Sequence, residues 1–397
     1  MKITSVDVFD FALDKTLKTC QPICIRINTD EGISGFGEVG VAYGKARNAG
    51  VGIAIDFANE IIGKDPLKSE AIFEHLFRNT FWGMGGGTVI NGGMSAVDIA
   101  LWDIKGKALN QPVWQLLGGK TNQKLWTYAS QIQFDWGCEH KNLVQPEAYA
   151  EAARKAMAEG FTCIKVDPIG VTDAGVWGRE NTDPAWRMRG PLPKHVFDLA
   201  VARVQAIRDV SPDLGIVIEL HSYTDTTSAV QLGKALCNMN ILYCEEPVHP
   251  LNVESMLEIH KKIDIPLASG ERIYTRYGYR PFFEKRALQV IQPDVCLCGG
   301  ISEIKKISDM ASIYDVQVQI HVCGGPISTA AAMQVESVIP NFLIHELHEC
   351  AIKQEMRDIC KYDYQPVDSY LTCPDLPGIG QELTDAAMDK TLVKTIK

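Results

Sequence analysis

Apolar residues alternate with polar residues near the start of the chain, as expected for strands. Val6 and Val8 alternate with polar neighbours, and residues 23–27 repeat the pattern before a turn at 30–32. This period of two predicts an antiparallel hairpin. Helical spacing then dominates from 46 to 117, so the first 120 residues are predicted to form an α+β module.

Beyond Gly119, short apolar runs alternate with amphipathic segments. The predicted strands are 125–132, 163–168, 215–221, 241–247, 266–271, 290–298, 316–322 and 341–348. The clearest predicted helices between them are 146–159, 194–210, 253–262 and 301–314. Eight strands with intervening helices predict an α/β fold with a parallel (β/α) barrel. The competing interpretation, an open doubly wound sheet, usually has a Gly-rich first turn, which is missing here.

The end of the sequence does not continue this repeat. Residues from 356 onward are punctuated by Pro and Gly, as in Pro374 and Gly378, and we expect them to return to the N-terminal module. The predicted organisation is therefore a capping module at 1–120, a barrel at 121–355 and a returning segment at 356–397.

Composition narrows the class of protein. The chain has 397 residues, 46 % of them hydrophobic, and a formal net charge of −10. That charge, without a basic stripe, argues against nucleic acid and anionic membrane surfaces as partners. The N-terminus lacks the apolar centre of a signal peptide, and the 12 cysteines include no CxxC pair. We therefore expect a cytoplasmic protein with reduced thiols.

Ionisable residues recur where the predicted barrel strands end. From the second strand to the eighth, these residues are Lys165 and Asp167, Glu219 and His221, Glu245, Glu271 and Arg272, Asp294, His321 and Glu346. The carboxyl ends of barrel strands carry the active site in enzymes of this architecture. The sequence therefore predicts an active site at this face.

Three of these residues are glutamates at the ends of three consecutive predicted strands. Glu219, Glu245 and Glu271 are separated by 26 positions each, one strand–helix unit per step. Carboxylates on neighbouring parallel strands repel one another, and a hard divalent cation with oxygen ligands relieves that repulsion. The spacing predicts a Mg²⁺ site, although an acidic strand end can also be an ordinary solvated residue.

Two histidines accompany the glutamates. His221 shares a strand face with Glu219, which suits proton transfer beside a metal. Asp294 and His321 end adjacent predicted strands. A carboxylate beside an imidazole fixes the tautomer of the imidazole and raises its basicity. A structural role for either histidine is the alternative.

Two other motifs are rejected. The run beginning at His345 resembles HExxH but is one residue too short, and it lies on a predicted strand. The glycine cluster at 83–87 lacks the Lys and Ser or Thr of a phosphate-binding loop.

The full set of motifs resembles the enolase superfamily, mandelate racemase subgroup, and is most similar to acid-sugar dehydratases of the galactonate dehydratase type. The motifs are SAVDIALWDIKGK at 95–107, PVWQLLGG at 112–119, EEP at 245–247, GER at 270–272, QPD at 292–294 and GGI at 299–301. The resemblance covers essentially the whole chain. It implies a modified (β/α)₇β barrel, a capping domain and a symmetric homo-oligomer.

The resemblance also implies roles for residues. Glu219, Glu245 and Glu271 would bind Mg²⁺, His321 with Asp294 would be the base, and His221 would be the acid. Glu346 would hydrogen-bond the substrate carboxylate, which requires it to be protonated or to share a proton, and Lys165 would assist electrostatically. Candidate substrate-binding residues are Trp82, Asp167 and Arg272. Loops of the cap around 18–21 and Trp82 would set specificity.

Two residues depart from the family pattern. Asp167 stands where many relatives carry a second lysine base, which favours one-sided elimination over two-base racemisation. Glu219 stands where the first metal ligand is usually Asp. The insertion at 170–193 contains Trp177, Arg179, Trp186, Arg187 and Arg189, and it either covers the pocket or is a surface excursion.

Three functional hypotheses follow. The first is a Mg²⁺-dependent hydro-lyase that converts a sugar acid into a 2-keto-3-deoxy acid. The second is an epimerase, racemase or cycloisomerase that uses the same enolate. The third is a non-catalytic metal-binding barrel with a sensor or assembly role.

Overall fold

The computed structural model describes residues 1–137, 139–178 and 191–397. Within these ranges the chain forms a four-stranded antiparallel sheet with helices packed on it, and a parallel strand–helix barrel.

The antiparallel sheet has the strand order β13-β1-β2-β3. Its strands are β1 (Ile3–Asp10), β2 (Ile23–Thr29), β3 (Ser34–Val39) and β13 (Leu392–Ile396). The predicted hairpin is β2–β3, and Gly32 in its turn has a φ of 75°, which glycine adopts without strain. The C-terminal β13 pairs with β1, while β12 (Tyr370–Leu371) pairs with β4 of the barrel. The domain boundaries at 120 and 355 stay a prediction.

The first and third helices of the first module pack on this sheet, and the second and fourth contact the third. They are α1 (Arg47–Ile61), α2 (Ser69–Glu74), α3 (Thr88–Ala108) and α4 (Val113–Leu116). The helical spacing predicted between 46 and 117 includes α3, and fourteen of the 21 residues of α3 are buried. Gly37 on β3 lies so close to the backbone of Ala96 that an added Cβ would come within 1.8 Å of its carbonyl oxygen.

All eight predicted barrel strands are present and parallel, which confirms the fold class. They are β4 (Leu125–Ala129), β5 (Cys163–Val166), β6 (Gly215–Glu219), β7 (Ile241–Glu245), β8 (Leu267–Ser269), β9 (Val290–Ile291), β10 (Gln317–Val318) and β11 (His345–Leu347). A parallel bridge between Val318 and Phe342 joins the β10 side to the segment before β11. The open doubly wound alternative is therefore excluded.

Helices follow the strands around the barrel. They are α5 (Pro146–Ala158), α6 (Lys194–Arg208), α7 (Thr226–Leu236), α8 (Val253–His260), α9 (Thr275–Lys285), α10 (Gly300–Ile313) and α11 (Pro326–Glu336). Two short helices, α12 (Gln354–Arg357) and α13 (Asp385–Thr391), belong to the returning segment. Among the described residues, no helix combines the length and apolar character needed to cross a membrane.

Polar contacts hold the cap over the carboxyl ends of the barrel strands. The buried Glu38 of β3 accepts hydrogen bonds from the N–H groups of Gly325 (2.6 Å) and Ser328 (3.0 Å) at the start of α11. Asp98 of α3 accepts from the N–H (2.9 Å) and Oγ (2.6 Å) of Ser302 at the start of α10. Carboxylates at helix N-termini satisfy donors that have no partner within the helix. The cap therefore lies against the face where the predicted site residues end.

Candidate active site

A buried lysine lies among three of the predicted carboxylates. Lys165 Nζ is 2.7 Å from Glu346 Oε1, 3.0 Å from Glu245 Oε2 and 3.8 Å from Glu219 Oε2. Its side chain is 2 % exposed, so the buried positive charge of Lys165 and the negative charges of the glutamates must stabilise one another. Burial alone would lower the pKa of Lys165, but the surrounding glutamates raise it well above its usual value. Lys165 is therefore a cation at the centre of the cluster.

The two first glutamates are direct neighbours in the sheet. Glu219 and Glu245 end β6 and β7 and are paired in register. Burial and the charge of Glu245 raise the pKa of Glu219 well above its usual range. Oε1 of Glu245 is buried and has no hydrogen-bond partner among the described residues. The cluster thus contains more carboxylate oxygens than Lys165 alone can satisfy.

Glu271 is held differently from the other two. Its Oε2 lies 3.0 Å from His321 Nε2, and its Oε1 lies 3.4 Å from Arg272 Nε. Burial opposes ionisation, but the hydrogen bond and charge of His321 hold the pKa of Glu271 well below its usual value. Lys165 and His321 therefore each offset part of the negative charge of the three carboxylates.

The residues fit a hard divalent cation in donor type. All three predicted ligands offer carboxylate oxygens, which suit Mg²⁺. The unpartnered oxygen of Glu245 and the raised pKa of Glu219 both show a local excess of acceptors that a cation would relieve.

His321 and Asp294 form the predicted pair. Asp294 and His321 are linked by a parallel bridge, and His321 Nδ1 lies 2.8 Å from Asp294 Oδ2. A carboxylate can only accept, so Nδ1 carries the proton and Nε2 faces the cluster. Although burial opposes the charged form, hydrogen bonds to Asp294 and Glu271 raise the pKa of His321 well above its usual value.

A second histidine repeats this arrangement. His221 Nδ1 lies 2.6 Å from Oδ2 of the buried Asp167. Oδ1 of Asp167 accepts hydrogen bonds from the N–H groups of Ile169 (2.9 Å) and Gly170 (2.6 Å). His221 itself has a φ of 45°, a strained conformation for this residue, and its N–H donates to Glu219 Oε1 at 2.6 Å. Asp167 therefore holds His221 in place.

Glu346 is held by donors of the protein itself, and its expected contact with the substrate carboxylate stays a prediction. It accepts from Ser130 Oγ at 2.8 Å and from Val322 N–H at 3.1 Å, in addition to Lys165. Burial opposes ionisation, but the charges of Lys165 and His321 lower its pKa to about 2. Three donors keep this carboxylate ionised and fully engaged.

Arg272 lies at the edge of the carboxylate cluster beside Glu271, whereas Trp82 lies on an exposed loop of the cap. Arg272 pairs with the buried Glu246 and donates to Ser222 Oγ at 3.0 Å. Trp82 is 69 % exposed on the loop before α3, and its ring packs edge-on against Phe81 at 4.9 Å. The role of both in substrate binding stays a prediction.

Part of the insertion contacts the histidine. The ring of Trp177 meets that of His221 edge-on at 5.5 Å, and its Nε1 donates to Tyr43 OH of the cap at 3.2 Å. Trp177 is buried at 5 % exposure. The predicted residues Arg179, Trp186, Arg187 and Arg189 lie outside the described residues.

Sequence reasoning missed Ser130, Glu246 and Gln133. Ser130 directly follows β4, the one strand whose end was not considered, and Glu246 is the second acid of the EEP motif. Oε1 of Gln133 accepts from Asp167 N–H at 3.1 Å. Attention to neutral polar residues at strand ends could have found Ser130.

Comparison with family models identifies the family of the chain. The family described as "Enolase C-terminal domain-like" matches residues 148–387, and the "Mandelate racemase / muconate lactonizing enzyme, N-terminal domain" matches residues 9–118. The chain belongs to the enolase superfamily. Its family assignment, predicted from the motifs, is thereby confirmed.

Individual relatives are similar over nearly their whole length. A D-galactonate dehydratase from Variovorax paradoxus is 30 % identical over 372 residues, which cover 91 % of this chain and 88 % of that protein. A D-xylonate dehydratase from Haloferax volcanii is 29 % identical over 374 residues, covering 94 % and 85 %.

Solved structures share the fold. A member of the enolase superfamily from Salmonella Typhimurium is 51 % identical, with a TM-score of 0.94 over 100 % of both chains. The 3,6-anhydro-D-galactonate cycloisomerase from Zobellia galactanivorans is 25 % identical, with a TM-score of 0.81 over 99 % of this chain and 100 % of that one.

Proposed function

We propose that this chain is a Mg²⁺-dependent dehydratase of a sugar acid. It removes the proton next to the substrate carboxylate and eliminates the hydroxyl group on the neighbouring carbon, which gives a 2-keto-3-deoxy acid. One observation carries the proposal: His221 and His321, each fixed through Nδ1 by a carboxylate, follow the third and seventh strands of the barrel. They contact the carboxylate cluster at Glu219 and Glu271, respectively. The dehydratase names of the relatives support it.

The two histidines divide the proton transfers between them. His321 takes the α-proton at Nε2 when that atom is free, because Asp294 holds the proton on Nδ1. His221 delivers a proton from its own Nε2 to the departing hydroxyl, and Asp167 stabilises the positive ring before that transfer.

Glu219, Glu245 and Glu271 would hold the metal. When bound, Mg²⁺ would supply positive charge that offsets the negative charge gained by the substrate carboxylate as the α-proton leaves. Lys165 adds a fixed positive charge in a buried environment, where electrostatic stabilisation is strong. Glu346 acts as a positioning residue that holds Lys165.

A cycloisomerase or epimerase is the second candidate. The likeness to the Zobellia cycloisomerase supports it, because that structure covers 99 % of this chain. Such an enzyme would make the same enolate without releasing water. The absence of a second lysine base at Asp167 favours the dehydratase.

The test is a screen of the purified protein with Mg²⁺ against mono- and diacid sugars, with semicarbazide detection of 2-keto-3-deoxy acids. We expect a hit that EDTA and His321→Asn abolish. General-base catalysis contributes about 100- to 10,000-fold to the rate, so H321N should lower kcat by about 100-fold or more. The exposed His249, whose Nδ1 accepts a hydrogen bond from Leu251 N–H, provides the control His249→Asn with unchanged activity.

A silent panel calls for the same screen in D₂O. Deuterium at the α-carbon without loss of water would favour the second candidate function, isomerisation. A protein that binds Mg²⁺ but neither dehydrates any substrate nor exchanges its α-proton would favour the third hypothesis, a non-catalytic metal-binding barrel with a sensor or assembly role.

A further inference from the structure

A buried arginine binds the loop that follows β5. Arg203 of α6 is 1 % exposed, and its guanidinium group is always charged. Each hydrogen bond that it makes to the described residues ends on a backbone carbonyl oxygen. Nε donates to Val144 O at 3.0 Å, and Nη1 donates to Pro168 O at 2.7 Å and to Val171 O at 2.8 Å. A buried charge is costly unless it is hydrogen-bonded, so these carbonyl groups stabilise Arg203 in this place.

Two of the carbonyl groups belong to the turn that fixes Asp167. Pro168 and Val171 flank the two residues whose N–H groups donate to Asp167 Oδ1. The amide groups of this turn are therefore bound by Asp167, and its carbonyl groups are bound by Arg203. Because Asp167 Oδ2 lies 2.6 Å from His221 Nδ1, the turn connects the arginine to the proposed acid.

The same segment carries Trp177, which also contacts His221. Trp177 forms an antiparallel bridge with Val171, and the centres of the Trp177 and His221 rings are 5.5 Å apart. At Gly170, an added Cβ would come within 2.2 Å of the Trp177 ring and 2.4 Å of Asp167 Oδ2, so this segment is closely packed. Two groups that contact His221, a carboxylate and an indole ring, thus belong to the segment that the arginine binds.

We propose that Arg203 is a positioning residue for the delivery of a proton by His221. It holds the turn that carries Asp167 and Trp177, and these two side chains hold the His221 ring. The inference rests on the proposed function, in which His221 is the acid. The hydrogen bonds of Arg203 to the described residues do not reach His321, so replacement of the arginine should leave removal of the α-proton intact.

The fate of the α-proton separates this role from a purely structural one. In D₂O, the enolate either takes up deuterium at the α-carbon and returns to substrate, or loses its hydroxyl group and becomes product. Misplacement of the acid slows only the second route, so the ratio of deuterated substrate to product rises. Loss of folded protein lowers both rates by the same factor and leaves this ratio unchanged.

The experiment compares full-length variants with Mg²⁺ in D₂O, on the substrate found in the screen. Arg203→Met keeps an unbranched side chain and removes its donors. We expect kcat for elimination to fall about 10-fold or more with little change in KM, because a displacement of about 1 Å can cost about 100-fold. The ratio of deuterated substrate to product should rise by a similar factor. Arg203→Lys keeps the charge but lacks the rigid fork of donors, so it should give intermediate values, and it carries the test if R203M does not fold.

Arg208 provides a matched control on the same helix. Its guanidinium group also donates to backbone carbonyls, those of Ser211 and Pro212 at 2.9 Å, Met239 at 2.9 Å and Asn240 at 3.2 Å. These residues precede β6 and β7, so they lie at the opposite ends of the strands from Glu219 and Glu245. Arg208→Met should lower the unfolding temperature but leave both kcat and the deuterium ratio unchanged.

A second measurement does not depend on the reaction. The proton that His221 Nδ1 shares with Asp167 should give a downfield proton NMR signal that His221→Asn removes. R203M should shift or lose this signal, and it should keep the corresponding signal of His321 and Asp294.

Four outcomes would overturn the inference. They are an R203M protein with the kcat and deuterium ratio of the wild type, a fall in both rates at a constant ratio, a change confined to KM, and an unchanged His221 signal. A wild-type protein that dehydrates no sugar acid would instead overturn the proposed function, so the two failures are distinguishable.

Discussion

Glu219 lies 2 % exposed beside Glu245, and Lys165 Nζ at 3.8 Å is too distant to neutralise it well. Replacing it by Gln removes one repelling charge while keeping the side-chain length. We therefore predict that Glu219→Gln raises the unfolding temperature in EDTA but reduces the further rise that Mg²⁺ produces. A ligand present at 100 times its Kd stabilises the folded state by about 3 kcal/mol, so the wild-type shift is measurable by differential scanning fluorimetry.

A surface substitution provides the comparison. Glu258 is exposed and pairs only with Lys262 one helical turn away, so Glu258→Gln should leave both temperatures nearly unchanged. An E219Q protein that gains as much stability from Mg²⁺ as the wild type would exclude Glu219 from the metal site.

Asp167 provides the second prediction at this scale. Asn at this position can still accept from Ile169 and Gly170 N–H but cannot stabilise a positive His221. We expect Asp167→Asn to lower kcat by about 10- to 100-fold with little change in KM, as for other residues that position a reacting imidazole. Steady-state kinetics on the substrate found in the screen would measure this. A change confined to KM would instead indicate that Asp167 contacts substrate.

At the scale of elements, the sequence predicted the repeating strand–helix units well. It did not predict contacts between residues that are distant along the chain. The ends of β5 to β8 could be predicted because each strand delivers an ionisable residue after one strand–helix unit. The identity of each partner could not, because Lys165 meets Glu245 and Glu346, which are distant along the chain. Strands β9 and β10 are only two residues long. The apolar runs around them continue into buried loops, which apolarity alone does not distinguish from a strand.

The contact between α3 and α10 predicts a dependence on pH. Burial raises the pKa of Asp98 to about 7, against hydrogen bonds from Ser302, whereas an unfolded chain has an Asp pKa of about 3.9. The folded state therefore keeps a proton that the unfolded state releases between about pH 4 and 7, and stability falls as pH rises through that window. The loss is at most about 4 kcal/mol at pH 8.

The variant Asp98→Asn isolates this effect from other acids. Asn mimics the protonated carboxyl, so the unfolding temperature of D98N relative to wild type should rise by several degrees between pH 5 and pH 8. Glu70 and Lys306 also act on Asp98, but both remain in the variant. Parallel thermal melts across this range measure the difference, and a constant offset would show that Asp98 is ionised throughout.

At the scale of the whole molecule, the chain ends meet in one sheet. Val6 pairs with Ile396 and Val8 with Lys394, and Thr395 Oγ1 donates to Asp7 Oδ1 at 2.6 Å. Local sequence predicted that the last segment returns to the first module. It could not predict this register, because four of the five residues of β13 are exposed and show no apolar face.

Deletion of residues 392–397 should expose the edge of β1. The backbone groups of Val6 and Val8 would lose their partners, and Ile396, now 5 % exposed, would leave the apolar cluster of the cap. We expect a lower unfolding temperature, by a few degrees, and concentration-dependent aggregation, because unpaired sheet edges recruit other chains. Thermal melts and light scattering measure both. Removal of Lys397 alone should change neither, because this exposed residue forms no part of β13.

Affinity for Mg²⁺ should survive the longer deletion, since the three glutamates end barrel strands that pair with one another and not with β13. A truncated protein that melts normally but no longer binds Mg²⁺ would show that the cap sheet controls the geometry of the barrel mouth.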